Sequence, residues 1–226
     1  MKINPKTDAL IVIDVLNDFV PGGALAVSGG DEIISGIVDL ASKFETVVIS
    51  QDWHPQNHKS FAVNHGKEAF TQVEMPYGNQ TLWPTHCVQG TEGADFHKDL
   101  IAGGVVDKAA MIIRKGMNPE VDSYSAFYEN DGETKTGLSG FLNDRGIKRV
   151  FCVGLAYDFC VGYTAKDAKA EGFDVVVVKD LCRAIGAPVG EGLTTVDLIE
   201  KDFDDLKLDL VFSSYLNNNL NNRVKP

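Results

Sequence analysis

The chain has 226 residues, 44% of them hydrophobic and 23% charged, with a formal net charge of -11. That composition predicts one folded domain over 1–226 with a core large enough to need no disulfide scaffold. The acidic balance argues against a nucleic-acid or anionic-membrane partner, which requires clustered Lys and Arg, and leaves room only for a single basic pocket inside an acidic shell.

Residues 1–7 are polar, and the apolar run 9–12 is too short for a secretory leader or a membrane span. Four cysteines, at 87, 152, 160 and 182, form no C-x-x-C pair and fit a reducing, cytoplasmic setting. The run 9–13 is the first of six short apolar runs rich in β-branched residues, the others being 46–49, 111–113, 150–153, 175–178 and 208–212. They are continuous rather than alternating, which predicts strands covered on both faces. Between the first two, Asp31 is expected to cap a helix that turns Ile33, Ile34, Ile37, Val38 and Ala41 inward.

From Asp52 to about Lys98 periodicity disappears. This stretch is rich in Gly, Pro and Asn, yet it holds Trp53, Phe61, Phe70, Tyr77, Trp83 and all five histidines. Loops of such length are uncommon in compact domains, so it reads as a structured segment that builds a site. Further helices are expected over 139–145, stopping at Gly146, over 161–170, before Gly172, and over 194–206, which carries Val196, Leu198, Ile199 and Phe203. The Asn-rich tail 217–226 reads as a surface appendage. Alternating strands and helices predict a three-layer α/β/α fold around a mostly parallel six-stranded sheet, with ligands at the carboxyl ends of the strands.

Three strand ends carry chemistry. Asp14 ends the first, where a carboxylate is costly unless it is paired or faces a cleft; an Asx cap for the next turn is an equal reading. Lys115 ends the third, where a solvated lysine is the ordinary outcome. Cys160 follows the fourth at an apparent helix N-terminus, a position that favours thiolate and can hold an oxyanion. Its ordinary alternative is a small core group, the reading that suits Cys87, Cys152 and Cys182. On one rim of one sheet the three would supply a base, a cation and a nucleophile. Beside them, Asp52 and His54 follow the second strand with i, i+2 spacing, and His86 can close a metal-ligand set from the long loop. The plain alternative is loop histidines scattered by chance.

The segment Asp14-Val15-Leu16-Asn17-Asp18-Phe19 resembles the opening D-x-Q-N-D-F motif of the isochorismatase-like cysteine hydrolases. Gln51-Asp52-Trp53-His54-Pro55 and Trp83-Pro84-Thr85-His86-Cys87-Val88-Gln89-Gly90-Thr91 resemble the metal-binding pair of the nicotinamidase branch of that family. Lys115-Gly116 and Val153-Gly154-Leu155-Ala156-Tyr157-Asp158-Phe159-Cys160-Val161 resemble its catalytic-lysine and nucleophile segments. The four motifs stand in order over almost the whole chain.

The resemblance implies a catalytic triad of Asp14, Lys115 and Cys160. It implies an oxyanion hole from the N–H groups of Ala156 and Cys160, beside a cis peptide bond before Ala156. It also implies one divalent ion on Asp52, His54 and His86, zinc first, with iron or manganese equally compatible with the donors. Phe19, Trp83 and Tyr124 correspond to aromatic walls around a pyridine ring. The implied reaction converts nicotinamide to nicotinate and ammonia through a thioester, in NAD salvage, and extends to pyrazinamide. Assembly into a homo-oligomer is compatible with this reading. Leu16 stands where the family motif has Gln. His58, four residues after His54, stands outside the three ligands, as a fourth ligand or a supporting group. The rival readings are an amidohydrolase of the same fold for carbamoyl or ureido substrates, an isochorismatase proper, and a metal-dependent redox sensor that uses Cys160 as a switch.

Overall fold

A computed structural model describes residues 1–216; the tail 217–226 lies outside the described residues. Six strands form the central sheet: β1 (Asp8–Ile13), β2 (Thr46–Asp52), β3 (Met111–Lys115), β4 (Arg149–Leu155), β5 (Asp174–Arg183) and β6 (Asp209–Val211). Every pairing is parallel, in the order β6-β5-β4-β1-β2-β3. The sheet is therefore wholly parallel. Strand order reverses between β1 and β4, where the turns leaving the two strands diverge and open a crevice.

Successive strand residues face opposite sides, and the two sides carry separate cores. Leu10, Val12, Val47, Ile49, Phe151 and Val153 pack against helices α1 (Ile34–Ala41), α2 (Lys98–Ala102) and α3 (Val105–Lys108). Ala9, Ile11, Ile13, Val48, Val150 and Cys152 pack against α4 (Leu138–Asp144), α5 (Gly162–Ala170) and α6 (Thr195–Leu206). Full burial of one large aliphatic side chain contributes about 1.5–3 kcal/mol relative to exposure, so the continuous apolar runs stabilise both layers at once.

The helix termini differ in one respect from expectation. Thr194 caps α6 in a reciprocal capping box with Asp197, but no side chain caps α1. Asp31 acts there through its backbone, its carbonyl accepting from the Ile34 N–H at 3.3 Å, because the preceding turn brings the chain into the helix two residues later than the acidic side chain would require.

The aperiodic segment is ordered by short pieces. A hairpin pairs Gln72–Met75 with Gly78–Thr81, and single bridges join His54 to Val88 and Phe61 to Trp83. These bridges bring both halves of the segment back over the carboxyl end of β2. Among the described residues no helix is long and apolar enough to cross a membrane.

Gly154 sits where β4 comes closest to β1. Its φ is +119°, and a Cβ there would overlap the backbone of Ile13. Only glycine lets the two strands stay paired up to the point where they diverge.

Candidate active site

The ends of β1, β2, β3 and β4 meet in one buried cluster. Asp14 leaves β1 in the left-handed region, φ 48°, which turns its carboxylate back across the sheet edge. Ser50 on β2 donates its hydroxyl to Asp14 Oδ1 at 2.7 Å. Lys115 Nζ lies 2.8 Å from Asp14 Oδ2 and is also bonded to Asp52 Oδ1. The same ammonium donates to the Ser123 carbonyl at 2.9 Å and to Cys160 Sγ at 3.4 Å. All of these residues are buried. One cation thus sits among two carboxylates and a thiol, an arrangement tolerable in the interior only because each of its N–H groups has an acceptor.

Burial pushes the Asp14 carboxyl up to about 6, with Lys115 pulling the other way. Burial acts upward on Asp52 too, but there Lys115 and His54 outweigh it and hold the group below the usual carboxylate range. Lys115 stays well above its ordinary value: burial works against its charge, and Asp14 and Asp52 overcome it. Burial also pushes the Cys160 thiol well up, with Lys115 opposing. The expected helix N-terminus is there: the helical stretch begins at Tyr157, with Ala156 as its N-cap. Cys160 lies inside a π-helical turn, Tyr157–Val161, and α5 starts only at Gly162. Burial disfavours the thiolate at this position, so the thiol needs a base.

Asp52 joins this cluster to a second one. Its other oxygen, Oδ2, faces His54 Nε2 at 3.5 Å and His86 Nε2 at 3.8 Å. His54 Nδ1 lies 2.9 Å from the Gly116 carbonyl and His86 Nδ1 lies 2.7 Å from the Pro84 carbonyl. A carbonyl only accepts, so both Nδ1 atoms carry a proton, and each ring in its neutral form presents the Nε2 lone pair. Asp52, His54 and His86 bring one donor atom each within 4.8 Å of one another. A carboxylate oxygen and two imidazole lone pairs converging in a buried pocket fit a divalent ion, with backbone acceptors fixing the rings from behind. Burial moves the His86 ring down to about 4, which keeps it neutral; at His54 the nearby Asp52 outweighs burial and the shift is upward.

Gly116 makes this possible locally. Its φ is +66°, and a Cβ there would overlap the His54 ring. Gly116→Ala is expected to push His54 off its carbonyl and weaken metal retention by roughly 10–100-fold, the usual effect of disturbing a group behind a ligand. Metal content after dialysis against graded chelator checks this, and unchanged retention would show that His54 is not a ligand.

Cys160, Asp52 and His86 open on one cavity with about 370 Å³ of free space including its mouth. The expected aromatic residues Phe19, Trp83 and Tyr124 all line it. Trp83 Nε1 donates to the Tyr124 hydroxyl at 3.2 Å, and Trp83 meets Phe159 edge to face with centroids 4.9 Å apart. The Leu155–Ala156 peptide bond is cis, and Ala156 also lines the cavity.

Several residues here were not found from the sequence. Ser50 and Phe159 sit within apolar or aromatic stretches that give no sign of a polar or lining role. Asp122, buried in the cavity wall, accepts from Gln80 Nε2 at 3.0 Å and from the Ser123 N–H at 2.8 Å. Asp158 accepts from the N–H groups of Ile185 and Gly186 at 2.9 and 2.8 Å, tying the turn that holds Cys160 to another wall of the cavity. Asp158 is an acidic residue three positions past the end of β4, the one signal that could have raised it, and Asp122 carries no such signal.

Residues 8–188 match the isochorismatase domain, and the chain belongs to the isochorismatase family. Within that family it is 54% identical over 178 residues to a nicotinamidase of Acinetobacter baylyi, covering 78% of this chain and 81% of the relative. Its fold superposes with a TM-score of 0.88 on a nicotinamidase/pyrazinamidase of Acinetobacter baumanii, at 46% identity, covering 94% of this chain and 99% of that one. It also superposes, with a TM-score of 0.69 and 33% identity, on a pyrazinamidase of Pyrococcus horikoshii in complex with zinc, covering 91% and 98% of the two chains.

Proposed function

We propose that this protein hydrolyses nicotinamide to nicotinate and ammonia with Cys160 as nucleophile, serving NAD salvage, and that it accepts pyrazinamide. The single observation that carries the reading is that the Cys160 thiol and the Asp52, His54 and His86 group line or adjoin one aromatic-walled cavity. A planar ring bearing a carboxamide spans such a space from both ends.

In this reading Asp14 takes the proton of Cys160 Sγ, and Lys115, 3.4 Å from the sulfur, stabilises the thiolate as it forms. The sulfur attacks the carboxamide carbon. The N–H groups of Ala156 and Cys160 receive the developing oxyanion. Asp14 returns its proton to the departing nitrogen, and ammonia leaves a thioester on Cys160. Asp14 then takes a proton from water, whose oxygen attacks the thioester and releases nicotinate. Phe19, Trp83 and Tyr124 hold the ring and exclude water. Asp52, His54 and His86 would hold a divalent ion, which when bound supplies a Lewis-acid contact for the ring nitrogen. Imidazole and carboxylate donors suit zinc, iron and manganese, and the zinc-bound relative favours zinc. We read 1–226 as one domain and the setting as the cytoplasm, with the small amide as partner and no nucleic acid or membrane.

Recognition at both ends makes benzamide the decisive comparison, since it keeps the carboxamide and lacks the ring nitrogen. A site that pairs with a substrate heteroatom rejects an analogue lacking it by up to about 10⁴-fold. Ammonia release should be fast with nicotinamide and slow with benzamide, and chelator should reduce the difference. Equal rates on the two amides, with no metal in the purified protein, would leave only a generic cysteine amidohydrolase.

A further inference from the structure

His58 is fully buried, and its Nε2 has no hydrogen-bond partner. It stands beside the proposed ligands, its ring 4.4 Å from that of His54 between centroids. His54, His58 and Asp122 also bring one donor atom each within 4.8 Å of one another. The residue therefore faces the metal group, and what it does there depends on which ring nitrogen carries the proton.

The partners of Nδ1 decide that. The Ser60 backbone N–H donates to His58 Nδ1 at 3.1 Å. A backbone N–H points in a fixed direction and cannot accept, so Nδ1 must offer a lone pair. The Ser60 hydroxyl, 2.7 Å from the same nitrogen, rotates and can donate to it as well. A neutral imidazole with its lone pair on Nδ1 carries the proton on Nε2. His54 and His86 are set the opposite way, because carbonyls lie behind their Nδ1 atoms. Three histidines of one segment are thus sorted by their backbone partners into two acceptors and one donor.

We propose that His58 is a positioning residue and not a fourth ligand: its Nε2–H donates to a water that fills an open position on the metal, and Asp122 accepts from that same water. The proposal rests on the metal reading above. Asp122 has the capacity: each carboxylate oxygen accepts one protein N–H, from Gln80 and from Ser123, and keeps a further lone pair. The bonding of the water balances. One lone pair goes to the ion, the other accepts from His58, and one hydrogen goes to Asp122. The buried N–H then has its acceptor.

The test uses zinc as the probe and reads the ion directly. X-ray absorption on the zinc-loaded protein counts imidazole ligands, and competition with a chromophoric chelator gives the zinc Kd. The variants are His58→Gln, which keeps a side-chain N–H donor, and His58→Leu, which removes it. Two imidazoles are expected in the wild type and in both variants. The Kd is expected to rise roughly 10–100-fold in His58→Leu, the range for loss of a group behind the ligands, and to rise less in His58→Gln. Asp122→Asn, which leaves the shape of the wall intact, should also weaken zinc binding. A third imidazole in the wild type that disappears in His58→Leu would make His58 a ligand and overturn the proposal. An unchanged Kd in both His58→Leu and Asp122→Asn would also overturn it. Wild-type protein that takes up no zinc removes the metal reading and this proposal together, whereas zinc uptake without nicotinamide hydrolysis rejects only the substrate.

Discussion

Cys160→Ala is expected to lower nicotinamide turnover by roughly 10⁴–10⁶-fold, the scale on which loss of an enzyme nucleophile acts. The substitution removes only Sγ from a buried side chain. Lys115, which donates to that sulfur, keeps its ion pairs with Asp14 and Asp52 and its hydrogen bond to the Ser123 carbonyl. Fold and metal content should therefore survive, and a melting curve and a metal assay on the variant check both. The remaining cysteines are controls of equal chemistry and different surroundings. Cys152 sits inside β4, Cys182 donates to the Val178 carbonyl at 3.4 Å, and Cys87 lies 3.9 Å from the Gly93 carbonyl. Among the described residues no ammonium is hydrogen-bonded to any of these three sulfurs, and their alanine variants should keep most activity. Near-normal ammonia release by Cys160→Ala would end the thioester chemistry.

Asp14→Asn is expected to cost roughly 10²–10⁴-fold in kcat, the range for a general base. An amide cannot take the proton of a thiol whose thiolate burial disfavours. Lys115 retains Asp52 as its counter-ion, so the loss should appear in turnover and not as unfolding. The pH profile gives an independent reading. Asp14 must be ionised to act as base, and burial raises it to about 6. As pH falls through about 6 the carboxylate is protonated and kcat/KM should drop; above that it should level off. In Asp14→Asn the acid limb near 6 should vanish from whatever activity remains. Persistence of that limb would assign it to another group and remove Asp14 as the base.

The sheet was legible because strands buried on both faces must be apolar at every position, and the six runs had no other use. Their ends were less exact. β2 runs on through Gln51 and Asp52, and β5 runs through Lys179 and Asp180 to Arg183, since pairing with β3 and with β4 holds polar residues in strand geometry. A register shift between Cys152 and Gly154 lets β5 continue past its apolar part. The charged residues at strand ends were legible as a set because a parallel sheet brings its carboxyl ends to one rim. What periodicity could not reach was the polar scaffold around them. Gln80, Asp122 and Ser123 lie in stretches without periodicity, and the contact of Gln80 with Asp122 joins segments 42 residues apart. His58 could be seen but not assigned, because its tautomer depends on a backbone N–H two residues away. The π-helical turn around Cys160 also escaped the sequence, since its five residues suit an ordinary helix start equally well.

The position of β1 has a consequence for how the molecule comes into being. β1 lies in the interior of the sheet, with β2 on one side and β4 on the other, and Asp8 pairs with Arg149 across 141 residues of chain. Closing so long a loop costs entropy before the contact stabilises anything, which makes wholly parallel sheets slow to assemble. During synthesis Asp14 emerges early and Cys160 much later, so the early half of the chain holds the base with nothing to deprotonate. Base and nucleophile come together only once β4 has joined β1.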